Sequence, residues 1–139
     1  MTNSDAHSPP HINTTRVFVV EEIKDSDKVA LLSKHGTILA LTSMACKPKP
    51  PLWNTYAMSE WIQEALANAG GFDYDSDYLA LAGNYLALSQ LTATLVAYSQ
   101  APYAIRCLAH SRRNDVDEFC HVVLEECVNQ QTVTKDQDL

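Results

Sequence analysis

Several patterns that often reveal a protein's function are missing from this sequence. Its four cysteines form no CxxC pair, and neither the GxGxxG nor the GxxxxGKS/T phosphate-binding loop occurs. The apolar stretches are interrupted well before the roughly 18 residues that a membrane-spanning helix requires, and the polar N-terminus has no signal-peptide core. We therefore expect a cytoplasmic protein with reduced cysteines, no membrane segment and no cofactor.

Positive charge is also scarce. The 139 residues include 10 Lys and Arg against 17 Asp and Glu, so the formal net charge is −7. A nucleic-acid-binding surface must neutralise phosphates with basic side chains, so this balance disfavours nucleic acid as a partner. The acidity either keeps the protein in solution or suits a basic surface on a protein partner.

The segment 77–110 predicts the fold class. It reads as an apolar strand, a tight turn, a leucine-rich helix and a second strand, at residues 77–82, 83–84, 85–99 and 104–110. A helix-length crossover between two apolar strands implies that the strands are parallel, so we expect an α/β domain. The Gly83-Asn84 turn then lies at the carboxyl end of a strand, where open α/β sheets usually bind ligands.

The rest of the pattern completes a single α/β domain at residues 16–127. We predict a mixed, mostly parallel sheet of about five strands with about three helices and a C-terminal β-hairpin. The additional strands are expected at 16–22, 37–41 and 118–125, and the additional helices at 25–34, closed by Gly36 as its C-terminal glycine, and at 56–69. A charged turn is expected at 111–117. Residues 1–15 are expected to form a disordered arm and residues 128–139 a flexible tail.

This layout resembles a group of small, uncharacterised α/β proteins encoded by tailed bacteriophages. The similar features are the strand Val17-Phe18-Val19-Val20, Gly36, Leu41-Thr42, the helix with Tyr56 and Trp61, the strand Asp77-Tyr78-Leu79-Ala80-Leu81, and Ile105-Arg106-Cys107-Leu108. The resemblance covers residues 16–125 and implies a viral accessory protein that acts in the host cytoplasm. No activity is established for that group, so the resemblance transfers no functional residue.

Metal-binding interpretations are disfavoured by spacing, and the possible Cys-His-Asp sets, Cys46 with His35 and Asp25 or Cys107 with His121, lie in no recognisable family context. Cys107 and His110 are three apart on one predicted strand, and Cys120 and His121 are adjacent on the next, so each pair points to opposite faces of the sheet. The acidic run from Asp73 to Asp77 alternates as in a calcium loop but lacks that loop's glycine and its bidentate glutamate, so we interpret it as a solvated turn. We expect no metal site and no enzyme activity.

Two groups of residues remain as candidate sites. The stiff Lys-Pro loop places Lys47 and Lys49 near Trp53 and Tyr56, where Trp53 either folds back as a lid on the following helix or is presented as a binding anchor. Arg112 and Arg113 form a second basic cluster in the predicted hairpin. The alternative is a small-ligand or nucleotide site made by Thr42, Ser43, Gly83 and Asn84. The leading hypothesis is a non-enzymatic interaction protein that binds a protein partner or self-associates into a homo-oligomer; the small-ligand domain is the alternative.

Overall fold

A five-stranded sheet organises the chain, and it confirms the predicted α/β class. The computed structural model describes residues 15–127, so the expectations for the N-terminal arm and the C-terminal tail concern, apart from Thr15, residues outside the described part. The elements, in chain order, are β1 (Arg16–Val19), α1 (Ser26–Ser33), β2 (Thr37–Ala40), α2 (Leu41–Met44), α3 (Thr55–Asn68), β3 (Tyr78–Leu81), α4 (Tyr85–Tyr98), β4 (Ala104–Arg113) and β5 (Val116–Glu125).

The strands lie in the order β2-β1-β3-β4-β5. β1 pairs in parallel with β2 and β3, β3 pairs in parallel with β4, and β5 returns antiparallel to β4. From β1 the chain crosses to β2 on one side, whereas from β3 it crosses to β4 on the other side. The carboxyl ends of β1 and β3 are therefore the point where the strand order reverses, which is the preferred ligand position of open α/β sheets.

Helices cover both faces of the sheet, because alternate side chains of each strand point to opposite faces. Phe18, Leu79 and Ile105 pack with α3 and α4 on one face. Val17 and Leu108 pack with Leu32 of α1 on the other face. Most of the buried strand side chains are aliphatic or aromatic, as expected for a largely parallel sheet with helices on both faces.

The structure adds a fourth, short helix to the three that were predicted. The strand expected at 37–41 ends at Ala40, and Leu41 begins α2. The backbone N–H of Thr42 donates to the carbonyl of Val20 at 3.1 Å, which ties the start of α2 to the end of β1. A short apolar run has the same composition in a strand and in a buried helical turn, so the sequence did not separate them.

The hairpin turn is shorter than predicted. Only Asn114 and Asp115 connect β4 and β5, and both have positive φ, 53° and 62°. This is the conformation of a type I′ turn, which matches the twist of an antiparallel pair and which Asn and Asp tolerate better than most residues. The Asn-Asp pair was the available signal, but the surrounding charges made the segment look like a longer loop.

Asp77 is buried, which corrects its interpretation as part of a solvated turn. Its carboxylate accepts hydrogen bonds from the Arg16 guanidinium at 2.7 and 3.2 Å and from the backbone N–H of Asp73 at 2.8 Å. Arg16 also donates to the carbonyls of Ala69 and Gly71 after α3. This Arg16–Asp77 pair joins the starts of β1 and β3 to the end of α3.

The sequence suggested that Gly36 acts as a left-handed cap at the end of α1. In the structure Gly36 is needed instead because the backbone of Thr15 approaches it closely. Gly36 is not among the glycines with positive φ, but a Cβ atom here would lie 2.7 Å from the backbone oxygen of Thr15. That oxygen accepts the N–H of Thr37 at 3.1 Å, so it cannot move without loosening β2.

We therefore expect Gly36→Ala to lower the free energy of unfolding by about 1–3 kcal/mol, as overpacking does. Urea denaturation followed by circular dichroism measures the change. Lys34→Ala, at the exposed C-cap of α1, is the control and should stay within about 0.5 kcal/mol of the wild type. Equal stabilities for the two variants would contradict the close-approach explanation.

Candidate functional site

The loop between α2 and α3, residues 45–54, is fixed to three parts of the domain. The indole N–H of Trp61 donates to the Lys47 carbonyl at 2.9 Å, and the side-chain amide of Gln90 in α4 donates to the Leu52 carbonyl at 2.9 Å. Lys49 Nζ lies 3.1 Å from a carboxylate oxygen of Glu21, just after β1. Together with the three prolines of the segment, which restrict φ, these contacts limit the conformations open to the loop.

Trp53 projects from this fixed loop into solvent. Its side chain is 78% exposed, whereas the backbone on either side is held. The N–H of Asn54 donates to the Pro51 carbonyl at 3.0 Å, and the Asn54 side chain caps α3 by accepting the N–H of Ala57 at 3.2 Å. Of the two alternatives for Trp53, the lid is therefore wrong. The tryptophan that packs against the core is Trp61, which is 4% exposed.

Further exposed apolar side chains lie around the starts of two adjacent helices. Tyr56, in the first turn of α3, is 72% exposed, and a hydrogen bond with Glu60, followed by the charge of Glu60, raises the pKa of its hydroxyl. Tyr85 and Leu86 occupy the first turn of α4 and are also exposed. These two residues were not predicted as contacts, although apolar residues directly after a helix cap were an available signal.

α3 and α4 lie side by side, and both begin on the side of the sheet where the parallel strands have their carboxyl ends. Thr55 and Gln90 line one end of the groove between them. Leu86 is one turn before Gln90 on the same face of α4. The Gln90 side-chain amide donates to the carbonyl of Leu52, the residue before Trp53. We call the exposed residues Trp53, Tyr56, Tyr85 and Leu86 the Trp53 surface.

Lys47 and Lys49 border this surface without forming a positive patch. Lys49 is paired with Glu21, and Lys47 lines a depression of about 440 Å³ that also contains Glu60 and Glu64. The electrostatic character of the rim is therefore mixed, because one lysine is paired with a carboxylate and the other shares its depression with two glutamates.

Arg112 and Arg113 belong to a separate region. They end β4 at the tip of the hairpin, where Arg112 Nη1 lies 3.4 Å from a carboxylate oxygen of Asp117. Arg112 Nη2 also lies 3.9 Å from a carboxylate oxygen of Asp115, and His110 Nε2 lies 3.3 Å from a carboxylate oxygen of Asp117. Within residues 15–127 no hydrogen bond or ion pair connects this tip to the Lys-Pro loop, so the structure does not bring the two basic clusters together.

A cleft of about 290 Å³ lies where the strand order reverses. Residues 20–25 after β1 and residues 82–84 after β3 form its walls, with Lys28 and Ala87 from the adjoining helices. Gly83 and Asn84 are therefore at the predicted cleft. Thr42 and Ser43 are not among its lining residues, because they lie on the exposed side of α2 and not at the end of a strand.

The helix-start amides beside this cleft are already used within the chain. The Asn84 side chain accepts the N–H groups of Leu86 and Ala87 at 2.8 and 3.2 Å. Asp25 accepts those of Asp27 and Lys28 at the start of α1. A phosphate group would have to displace these caps, so the cleft offers acidic and basic side chains instead of the predicted amide cradle.

The cysteine and histidine residues of the hairpin lie on alternate faces, as their spacing predicts. Burial raises the pKa of the Cys107 thiol to about 11, which leaves it protonated at neutral pH. Between Thr15 and Cys127 no group of three or more potential ligands could hold a metal ion. No helix in this range is both long enough and apolar enough to span a bilayer.

Comparison of the chain with protein families, curated proteins and solved structures finds no match.

Proposed function

We propose that this chain is a non-enzymatic protein-interaction module that binds a protein partner through the Trp53 surface. The observation that carries the proposal is the 78% exposure of a tryptophan on a loop with restrained backbone. A large aromatic side chain that stays in water loses the free energy available from its burial, and aromatic side chains are the commonest anchors of protein interfaces. The phage origin and the host-cytoplasmic location remain part of this proposal.

The restricted loop exposes Trp53 and also favours tight binding of a partner. A flexible loop must lose conformational entropy when it binds, at a cost of about 0.5–1.5 kcal/mol for each immobilised side chain. The contacts at Lys47, Lys49 and Leu52 already restrict this loop in the free protein. Because Glu60 and Glu64 lie beside the loop and the chain is acidic overall, the partner should present an apolar pocket with basic groups at its rim.

Affinity capture with matched variants tests this function. Wild type, Trp53→Ala and Tyr98→Ala are used as bait in an extract of the native host, and the captured proteins are quantified by mass spectrometry. Tyr98 is the control because it is also an exposed aromatic residue but lies at the far end of α4. We expect a partner that wild type and Tyr98→Ala retain and Trp53→Ala loses. A set of captured proteins that is the same for all three baits would refute the Trp53 surface.

A second proposal is that the cleft between β1 and β3 binds a small ligand. Its position where the strand order reverses favours this function. Since Glu22, Asp25, Lys24 and Lys28 surround the cleft and its amides are capped, a ligand with both amino and acidic groups fits better than a nucleotide phosphate.

We expect such a ligand to raise the free energy of unfolding by about 2.7 kcal/mol at about a hundredfold excess over its Kd. A thermal-shift panel of amino acids, polyamines and nucleotides measures the effect. Lys28→Ala should abolish the shift, whereas Lys34→Ala, whose side chain does not line the cleft, should keep it. If no compound shifts the wild type, the ligand site is ruled out.

A further inference from the structure

The outer strand of the hairpin leaves a long edge of the sheet unpaired. β5 is ten residues long and is an edge strand of the sheet, and no residue in the range 15–127 pairs with its outer side. The opposite edge, β2, has only four residues, and short edges are themselves protected from further pairing. The edge of β5 is therefore the more exposed of the two.

β5 also lacks the usual protection of an edge strand. It contains neither proline nor lysine, and its pairing with β4 is continuous from Val116 to Glu125, without a bulge. Its central stretch, residues 119–124, has no acidic or basic residue other than His121. Val122 and Val123 are among the exposed large hydrophobic side chains. Such an edge is a template for another strand.

The hairpin turn determines which backbone groups point outward. In a two-residue turn the flanking residues, here Arg113 and Val116, form a hydrogen-bonded pair, and hydrogen-bonded pairs then alternate along the two strands. Even-numbered residues of β5 therefore direct their N–H and C=O groups to β4. The odd-numbered residues direct theirs away from the sheet, namely Asp117, Phe119, His121, Val123 and Glu125.

We propose that two copies of this chain associate by antiparallel pairing of their β5 edges, with Cys120 at the two-fold axis. Antiparallel pairing of an edge with itself is the isologous contact that a two-fold dimer requires. Side chains directly opposite must share a face, and outward-pointing residues must pair with each other. Centring on Cys120 meets both conditions and places Phe119 opposite His121 and Asp117 opposite Val123 of the second copy.

The charges of the strand select this register among its neighbours. Moving the centre to His121 places Asp117 opposite Glu125, which makes two carboxylate pairs within the strands. Moving it to Val122 shortens the pairing within β5 to residues 119–125. Moving the centre to Phe119 shortens the paired length, because Val123 and Leu124 then extend beyond the start of β5 in the second copy. The register centred on Cys120 pairs residues 116–124 and has no like charges directly opposite within the strands.

Opposite charges at one position test both the dimer and its register. Val122 is 38% exposed and lies opposite Glu118 of the second copy in the proposed register. Val122→Glu should weaken the dimer more than Val122→Lys does, with dissociation constants that differ on the order of tenfold by sedimentation equilibrium. The two variants are matched in position and in lost apolar contact. Equal dissociation constants would overturn the register.

His121→Pro tests the edge itself. Proline removes an outward N–H but no hydrogen bond to β4, so the monomer should keep its circular dichroism spectrum and lose the dimer. A wild type that is monomeric up to its solubility limit would overturn the proposal and assign the edge to a strand of another protein. A His121→Pro variant that stays dimeric would also overturn it.

Cross-linking at Cys120 gives an independent readout. Cα atoms in a non-hydrogen-bonded antiparallel pair are about 4.5 Å apart, within the range of a disulfide. In a Cys46→Ser/Cys127→Ser chain, oxidation with copper phenanthroline should yield a covalent dimer that Cys120→Ser abolishes. Cys107 is buried and should not react. Absence of the covalent dimer would contradict the axis at Cys120. Because β5 is separate from the Trp53 surface, neither proposal depends on the other.

Discussion

Asp77→Ala is expected to lower the free energy of unfolding by about 3–5 kcal/mol, the usual cost of breaking a buried ion pair. The substitution leaves the Arg16 guanidinium without its carboxylate and the backbone N–H of Asp73 without its acceptor. The side chain of Asp77 is 1% exposed, so water cannot replace these bonds without opening the start of β3. Since small domains have about 5–15 kcal/mol of total stability, the variant should be close to unfolding at moderate temperature.

Urea denaturation measures this loss, and Asp75→Ala is the matched control. Asp75 is an exposed carboxylate in the same turn, and its replacement should change stability by no more than about 0.5 kcal/mol. Arg16→Ala should be nearly as damaging as Asp77→Ala, because it leaves a buried carboxylate unpaired. The double variant should cost much less than the sum of the two single losses. Additive losses would show that the pair does not act as a unit.

Trp53→Ala and Trp61→Ala are expected to affect different properties, partner binding and stability respectively, although the two residues are close in sequence. Trp61→Ala should lower the free energy of unfolding by about 3–5 kcal/mol, because it leaves a cavity between α3 and the core. It also removes the hydrogen bond that holds the Lys47 carbonyl. Trp53→Ala should leave stability within about 0.5 kcal/mol but weaken partner binding by about 2 kcal/mol or more, at least thirtyfold.

Denaturation curves measure the first effect, and calorimetric titration with the captured partner measures the second. Trp61→Phe is the intermediate control, since it keeps most of the buried ring volume and loses only the indole hydrogen bond. It should cost less than Trp61→Ala in stability. The interpretation of Trp53 as a binding anchor fails if Trp53→Ala is as destabilising as Trp61→Ala, or if its partner affinity equals that of the wild type.

Much of the local structure could be predicted because its signals lie within a few residues of each other. Asn54 and Asn84 cap α3 and α4 as their positions before apolar periodic segments indicated. The pair Gly70-Gly71 follows α3 with positive φ, as glycines after a helix do. The parallel pairing of β3 and β4 followed from the length of the helix that connects them.

The candidate site was predicted only in part. Trp53 and Tyr56 were identified from the stiff loop, but whether Trp53 was buried depended on contacts with α4 and with the end of β1, which are distant in sequence. Gly83 lies at a cleft as expected, whereas the capped amides beside it appear only when side-chain conformations are known. Thr42 was predicted to end a strand, because a four-residue apolar run does not distinguish a strand from a helical turn.

The sequence by itself determined the α/β class, the helix caps, the parallel crossover and the acidic charge, because each depends on composition or on residues that are neighbours along the chain. The tertiary structure decided the strand order, the burial of Asp77, the exposure of Trp53 and the open edge of β5. These four depend on which distant segments meet, as Arg16 meets Asp77 across 61 positions. Many long-range arrangements satisfy the same local pattern, and only the packing of the whole domain selects among them.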